Sequence, residues 1–173
     1  MSHQRAIGRR VEKACLAFQE QDYETCLLHL FPAIDSTGKA RRPNGKVGER
    51  IRALIDDQLD IITALGVGSV IRNLNIDGQT IPQILYNFAR TTLAHEGEID
   101  PRLKISENSR LSASKDSWSI SPSFILGMII AVVTAQENLN DCASIKITVT
   151  IKGQEIDINN LWGQEAVLKA SLS

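Results

Sequence analysis

Cysteine, histidine and aromatic residues are scarce in this chain, and neither sign of charge dominates it. Among its 173 residues are three Cys, three His, two Trp, two Tyr and four Phe, and 19 basic side chains face 20 acidic ones for a net charge of −1. Cys15, Cys26 and Cys142 form an odd set without CxxC spacing or companion histidines, which argues against a disulfide framework and a structural zinc site and fits a reducing cytoplasm. The balanced charge excludes a global positive field, so any nucleic-acid binding must come from a local patch. The longest apolar run, Phe124 to Val133, spans ten residues. That is about half of the roughly 20 needed to cross a bilayer, so no membrane partner is expected. Arg5, Arg9 and Arg10 stud the N-terminus without the apolar segment of an export signal, which again points to a cytoplasmic protein.

What is present is apolar periodicity. With 43% hydrophobic residues the chain can build one core across residues 1–173. Ile7, Val11, Ala14, Cys15 and Phe18 recur at helical spacing, as do Tyr23, Cys26, Leu27, Leu30, Phe31 and Ile34 behind an Asp22 N-cap. Pro32 should kink or end that second helix. Gly38 to Gly48 then reads as a basic loop, because Pro43, Asn44 and Gly45 break regular structure among Lys39, Arg41, Arg42 and Lys46. A third helix runs from Val47 to Leu65 and stops near Gly66 and Gly68. Asp77 and Gly78 mark a tight turn, and Thr80 with Gln83 sets a capping-box-like start for a fourth helix ending at Gly97.

Residues Leu103 to Ile120 have no clean period and read as irregular or weakly stranded. Ser121 and Pro122 open a fifth helix, apolar nearly all round and expected to be the most buried element. Its Gly127, Ala131 and Ala135 lie four apart, inviting close approach of another helix, within the fold or across a dimer. From Ile145 to Ile158 the period changes to two, a β-hairpin turning at Gly153, before a short closing helix carrying Leu161, Trp162 and Leu168. The class is therefore mainly α, a helical bundle of about five helices over residues 4–138 with a small antiparallel β-hairpin appendage over 143–173.

Chemistry concentrates at the end of the fourth helix. His95 falls in its last turn, where the negative end of the helix dipole and nearby Glu96 and Glu98 favour the protonated imidazole of an acid catalyst. Arg90 lies five residues earlier, about 140° away around an ideal helix, so the two do not share a face. A second subunit would bring another Arg and His to the same cleft. Metal-free RNA cleavage needs a base, an acid and a cation for the developing phosphorane charge, and paired Arg–His units would supply them. The plainer reading is a surface ion pair of Arg90 with Glu96, Glu98 or Asp35 beside a helix cap. Lys39, Arg41, Arg42 and Lys46 likewise read either as a solvated loop or as a phosphate-tracking one.

The RxxxxH spacing from Arg90 to His95, near a helix end in a small helical bundle, resembles the HEPN superfamily. Leu30 to Thr37 and Leu85 to Arg90 also look like bacterial members. The resemblance implies a homodimer whose motif helices meet and whose Arg90 and His95 cleave RNA without metal or other cofactor, often as a toxin or defence effector restrained by an antitoxin protein. Thr91 stands where active members commonly carry Asn or Asp, and is placed among the substrate contacts. A catalytically silent RNA- or nucleotide-binding bundle and a dimerising interaction module are the alternatives.

Overall fold

The most apolar segment of the chain forms the centre of the fold. The computed structural model describes residues 4–94, 101–108, 111–114 and 117–172, the side chains of 90–94 and 113 excepted. Helix α6 (Pro122–Thr134), with Ser121 as N-cap and Pro122 in its first turn, is buried from Phe124 to Thr134 except at Leu126. Around it pack α1 (Ala6–Gln19), α2 (Tyr23–Arg41) and α4 (Leu59–Val67). Gly127 explains the closest of these approaches: a Cβ there would lie 2.8 Å from the Ile62 carbonyl oxygen of α4. The Gly127 to Ala135 face is thus spent inside the fold and is not available to a dimer axis. Ala135 itself is already the C-cap of α6.

Where helix signals are local, structure follows them. The Asp22 carboxylate accepts from the Thr25 N–H at 3.0 Å and starts α2. Gln83 accepts from the Thr80 N–H at 2.9 Å and starts α5 (Ile81–Ala94). Just before it, β1 (Asn75–Ile76) and β2 (Gln79–Thr80) turn through Asp77 and Gly78, both at positive φ, as a type I′ hairpin requires. Lys152 and Gly153 make the same turn between β6 (Thr148–Ile151) and β7 (Gln154–Asp157). The closing helix α7 (Glu165–Leu172) follows a 3-10 turn at Ile158–Asn160.

Three expectations need correction. Pro32 neither ends nor breaks α2: the buried Leu30, Phe31, Ala33 and Ile34 around it hold the helix in the core despite one missing N–H donor. The helix continues to Arg41 because Gly38 sits directly against α3 (Val47–Asp57), a Cβ there falling 2.8 Å from the Arg50 carbonyl oxygen. The basic loop therefore shrinks to the turn around Pro43, Asn44 and Gly45. The expected third helix is two, since the chain departs from helical geometry at Gln58 (φ −102°, ψ 9°) between α3 and α4. Residues 103–120 contain a small mixed sheet in which β5 (Trp118–Ile120) runs parallel to β3 (Leu103–Ile105) and antiparallel to β4 (Leu111–Ala113). Strands of three residues are too short to display a period of two.

The fold is thus mainly helical with small sheets, and one hydrophobic cluster takes residues from α1 through to Ile158, Leu161 and Trp162. Among the described residues no helix is long and apolar enough to cross a membrane. Gln58 is fully buried and its amide has no hydrogen-bond partner among the described residues. Burying such a group unpaired costs about 1–3 kcal/mol. Gln58→Met, of similar length and without the amide, is expected to raise stability by about 1 kcal/mol, or roughly 2–4 °C in melting temperature for a chain of this size. A lower melting temperature would show that the amide is satisfied.

Candidate nucleic-acid interface

Of the two sites drawn from the sequence, one lies largely outside the described residues and the other is spent on the fold. Arg90 and Thr91 lie in the last turns of α5, which runs to Ala94; their side chains and the whole of His95 lie outside the described residues. Asp35, one suggested partner of Arg90, is already held by Arg50 through Nε at 3.0 Å and Nη2 at 2.8 Å, a clamp between α2 and α3. Trp118 is buried and meets Phe88 edge to face at 5.5 Å, and Tyr86 is half-buried with Arg52 stacked over it.

Of the four loop cations, two are occupied. Arg41 is 16% exposed, and its guanidinium donates to Glu137 from Nε at 2.7 Å and Nη2 at 2.8 Å, to Glu165 at 2.5 Å and to Asp57 at 3.1 Å. Arg42 donates twice to Asp57, at 2.7 and 3.0 Å. Lys169 completes the group, bonding Glu165 at 2.8 Å and, at 2.6 Å, the Asp57 carbonyl beside the α3–α4 break. Three cations thus meet three carboxylates, and Arg41, Glu137, Glu165 and Lys169 among them line a groove of about 520 Å³ beside α7. Its charge closes internally. The hydrogen bonds it donates to Glu137, against burial, push Arg41 further toward its charged form. Burial acts to raise the carboxyl of Asp57, but the bonds from Arg42 and Arg41 outweigh it and hold it below its usual range. The expectation of free Arg41 and Arg42 side chains on a loop is corrected accordingly, while Lys39 and Lys46 remain exposed.

The N-terminal cations differ. Arg9, Arg10 and Lys13 of α1 are exposed and, with Ala6 and the half-buried His29 of α2, line a groove of about 260 Å³. In sequence His29 reads as an uneventful residue beside an apolar stripe. The signal it gave was indirect, since α1 and α2 pack antiparallel only once both helices exist. Burial first, then Lys13 and Arg10, disfavour its protonated form. The start of α1 is held from the far end of the chain: Arg5 offers no capping side chain, and the buried Asp141 carboxylate accepts from the Arg5 N–H at 2.8 Å and the Gly8 N–H at 3.0 Å. Asp141→Ala is expected to cost about 1–3 kcal/mol in urea unfolding, with Asn recovering part of it, because two amides lose a buried acceptor. Equal stability of the Ala variant would exclude this cap.

Elsewhere reactive groups are muted. Burial, then Glu12, pushes the Cys15 thiol up to about 12, and burial, then Cys15 and Asp22, does the same for Cys26. Among the described residues no group of three or more His, Cys, Asp and Glu side chains is arranged to hold a metal ion.

Fold and charge together define a mainly α protein with small sheets, an internally neutral ionic cluster and a cationic seam that has no ion-pair partner among the described residues. The chain belongs to the Rv1289 family, whose model matches residues 6–173. It is 26% identical over 151 residues to the uncharacterized protein Rv1289 of Mycobacterium tuberculosis (strain ATCC 25618 / H37Rv), an alignment covering 77% of this chain and 71% of that protein. The uncharacterized protein Mb1320 of Mycobacterium bovis matches with the same identity and coverage. The names of these relatives state no activity. No solved structure matches the chain.

Proposed function

We propose that the protein is a homodimeric, metal-independent endoribonuclease of HEPN type. The observation that carries this reading is the RxxxxH spacing at a helix end: α5 reaches Ala94, so Arg90 and Thr91 stand in its final turns and His95 follows at once. In this reading residues 4–138 form a bundle of about five helices, the hairpin segment 143–173 is its appendage, and the α5 ends of two protomers meet. The 2′-hydroxyl loses its proton to one imidazole and its oxygen bonds to phosphorus. The bond from phosphorus to the 5′-oxygen breaks, and the second imidazole, as imidazolium, protonates that leaving oxygen. Arg90 offsets the phosphorane charge. Thr91, Lys39 and Lys46 contact the strand, and an antitoxin protein restrains the activity in the cell.

Incubating the purified protein with RNA in excess EDTA tests this directly. Chelator-resistant cleavage giving 2′,3′-cyclic phosphate ends is the expected result, and intact RNA would overturn the enzyme. A catalytically silent RNA-binding protein would then be the better account, favoured by the cationic seam of α1 and α2. Light scattering that finds only a 19.1 kDa species at micromolar concentration would remove the dimer.

A further inference from the structure

We propose that the seam between α1 and α2 is a phosphate-binding groove for single-stranded RNA, formed by Arg9, Arg10, Lys13 and His29. The inference rests on the reading that RNA is this protein's ligand, and it says where the strand is held. Its first support is unpaired charge. Arg41, Arg42, Arg50, Arg72 and Lys169 all have carboxylate partners, whereas Arg9, Arg10 and Lys13 make no ion pair with any described residue. In a chain with 20 acidic side chains against 19 basic ones, acids are not in short supply. Among the described residues no acid lines this groove.

The second support is position. The N-terminal half of a helix carries the positive end of its dipole, which favours acidic residues and disfavours cations. Helix α1 has no acidic residue in its own first turn, its first amides being met instead by the Asp141 carboxylate, and carries Arg9 and Arg10 just beyond that turn. Arg9 and Lys13 stand one helical turn apart, so like charges are stacked on one surface, an arrangement that destabilises an isolated helix. An anion lying along the seam turns this like-charge repulsion into attraction. The third support is donor chemistry. Two guanidinium groups and an ammonium offer several N–H donors to phosphate oxygens, and His29, held toward its neutral form by burial and by Lys13 and Arg10, still has one ring N–H to give. Among the described residues the remaining lining residue is Ala6, whose methyl brings no polar group to the groove. Such contacts hold a strand without reading its sequence.

The test separates binding from cutting. A fluorescein-labelled 2′-O-methyl RNA of about 12 nucleotides cannot be cleaved by 2′-hydroxyl attack and is long enough to cover one binding groove. Its affinity is measured by anisotropy across a salt series for the full chain and for Arg10→Glu/Lys13→Glu. The wild type should bind with a salt-dependent affinity. The double variant should bind at least about tenfold more weakly, with a log–log salt slope shallower by about 1.4, the share of two lost phosphate contacts on a single strand. Arg10→Gln/Lys13→Gln, a milder change, should fall between, with an unchanged melting temperature showing that the fold is intact. Lys104→Glu/Lys146→Glu, which alters net charge equally at exposed positions elsewhere, should keep wild-type affinity. Wild-type affinity in Arg10→Glu/Lys13→Glu, equal loss in the Lys104→Glu/Lys146→Glu control, or no binding by the wild type overturns the groove. Cleavage of ordinary RNA is scored separately: a protein that binds through this seam but does not cut loses the nuclease and keeps the groove, and one that cuts with binding untouched by the seam variants does the reverse.

Discussion

His95→Ala and Arg90→Ala are each expected to lower RNA cleavage by about 10²–10⁴-fold, the range over which a positioned acid or base contributes to rate. Neither change should move the melting temperature appreciably. Arg90 stands near the end of α5, and replacement of a polar side chain that serves no core or ionic network stays within about 0.5 kcal/mol. The two effects differ in size by several-fold in free energy, so catalysis and folding can be read apart. Because the proposed step uses the imidazoles of both protomers, a heterodimer of the two single variants holds only one of them, and mixing the variants should restore no activity. Cleavage by His95→Ala at the wild-type rate would refute the assignment, and products ending in a simple 3′-hydroxyl would refute the 2′-hydroxyl route.

Arg41→Ala is expected to be the most damaging single change among the charged residues described, at about 2–4 kcal/mol, or roughly 5–15 °C in melting temperature. The reason is what it leaves behind. Glu137 and Glu165 are 21% and 17% exposed, and without the guanidinium they repel each other beside a shared groove. Arg42→Ala should cost no more than about 1 kcal/mol, because that side chain is 39% exposed and serves one carboxylate that Arg41 also holds. Acid provides the second signature. Asp57, Glu137 and Glu165 are all held below their usual carboxyl values, the first by Arg42 and Arg41, the second by Arg41, and the third by Lys169 and Arg41, in each case against burial. A lowered folded-state value means that the contribution is complete above the ordinary values of 3.8 for Asp and 4.5 for Glu and disappears as pH falls through the lowered ones. The wild type should therefore lose stability steeply below about pH 4.5, and Arg41→Ala should lose less over the same interval. Parallel pH profiles for the two would show that the network contributes nothing to acid sensitivity.

This network also marks how far the sequence could be read. Arg41 meets partners 16, 96 and 124 residues away, and no spacing rule links such positions. From the sequence its charge counted toward an RNA-binding loop; in the fold it staples α2 to α3, to the turn after α6 and to α7. Asp141 capping α1 across 136 residues is the same case, and so is the buried Gln58, where the backbone leaves helical geometry although apolar periodicity alone would continue the helix.

By itself the sequence determined what short-range chemistry can decide. The Asp22 cap, the Thr80 and Gln83 pair, the Asp77-Gly78 and Lys152-Gly153 turns and the start of α6 at Ser121 and Pro122 depend on contacts within about four residues, so residue type and spacing suffice. The central burial of α6 was equally legible, because a helix apolar on every face has nowhere else to go. The RxxxxH spacing is of this local kind too, but spacing fixes only which residues are near a helix end. Tertiary structure alone decided which cations are neutralised. A side chain's charge is written in the sequence, whereas the field it feels depends on which distant carboxylates the packing brings within hydrogen-bonding distance. Packing spent Arg41 and Arg42 on the fold and left Arg9, Arg10 and Lys13 facing solvent.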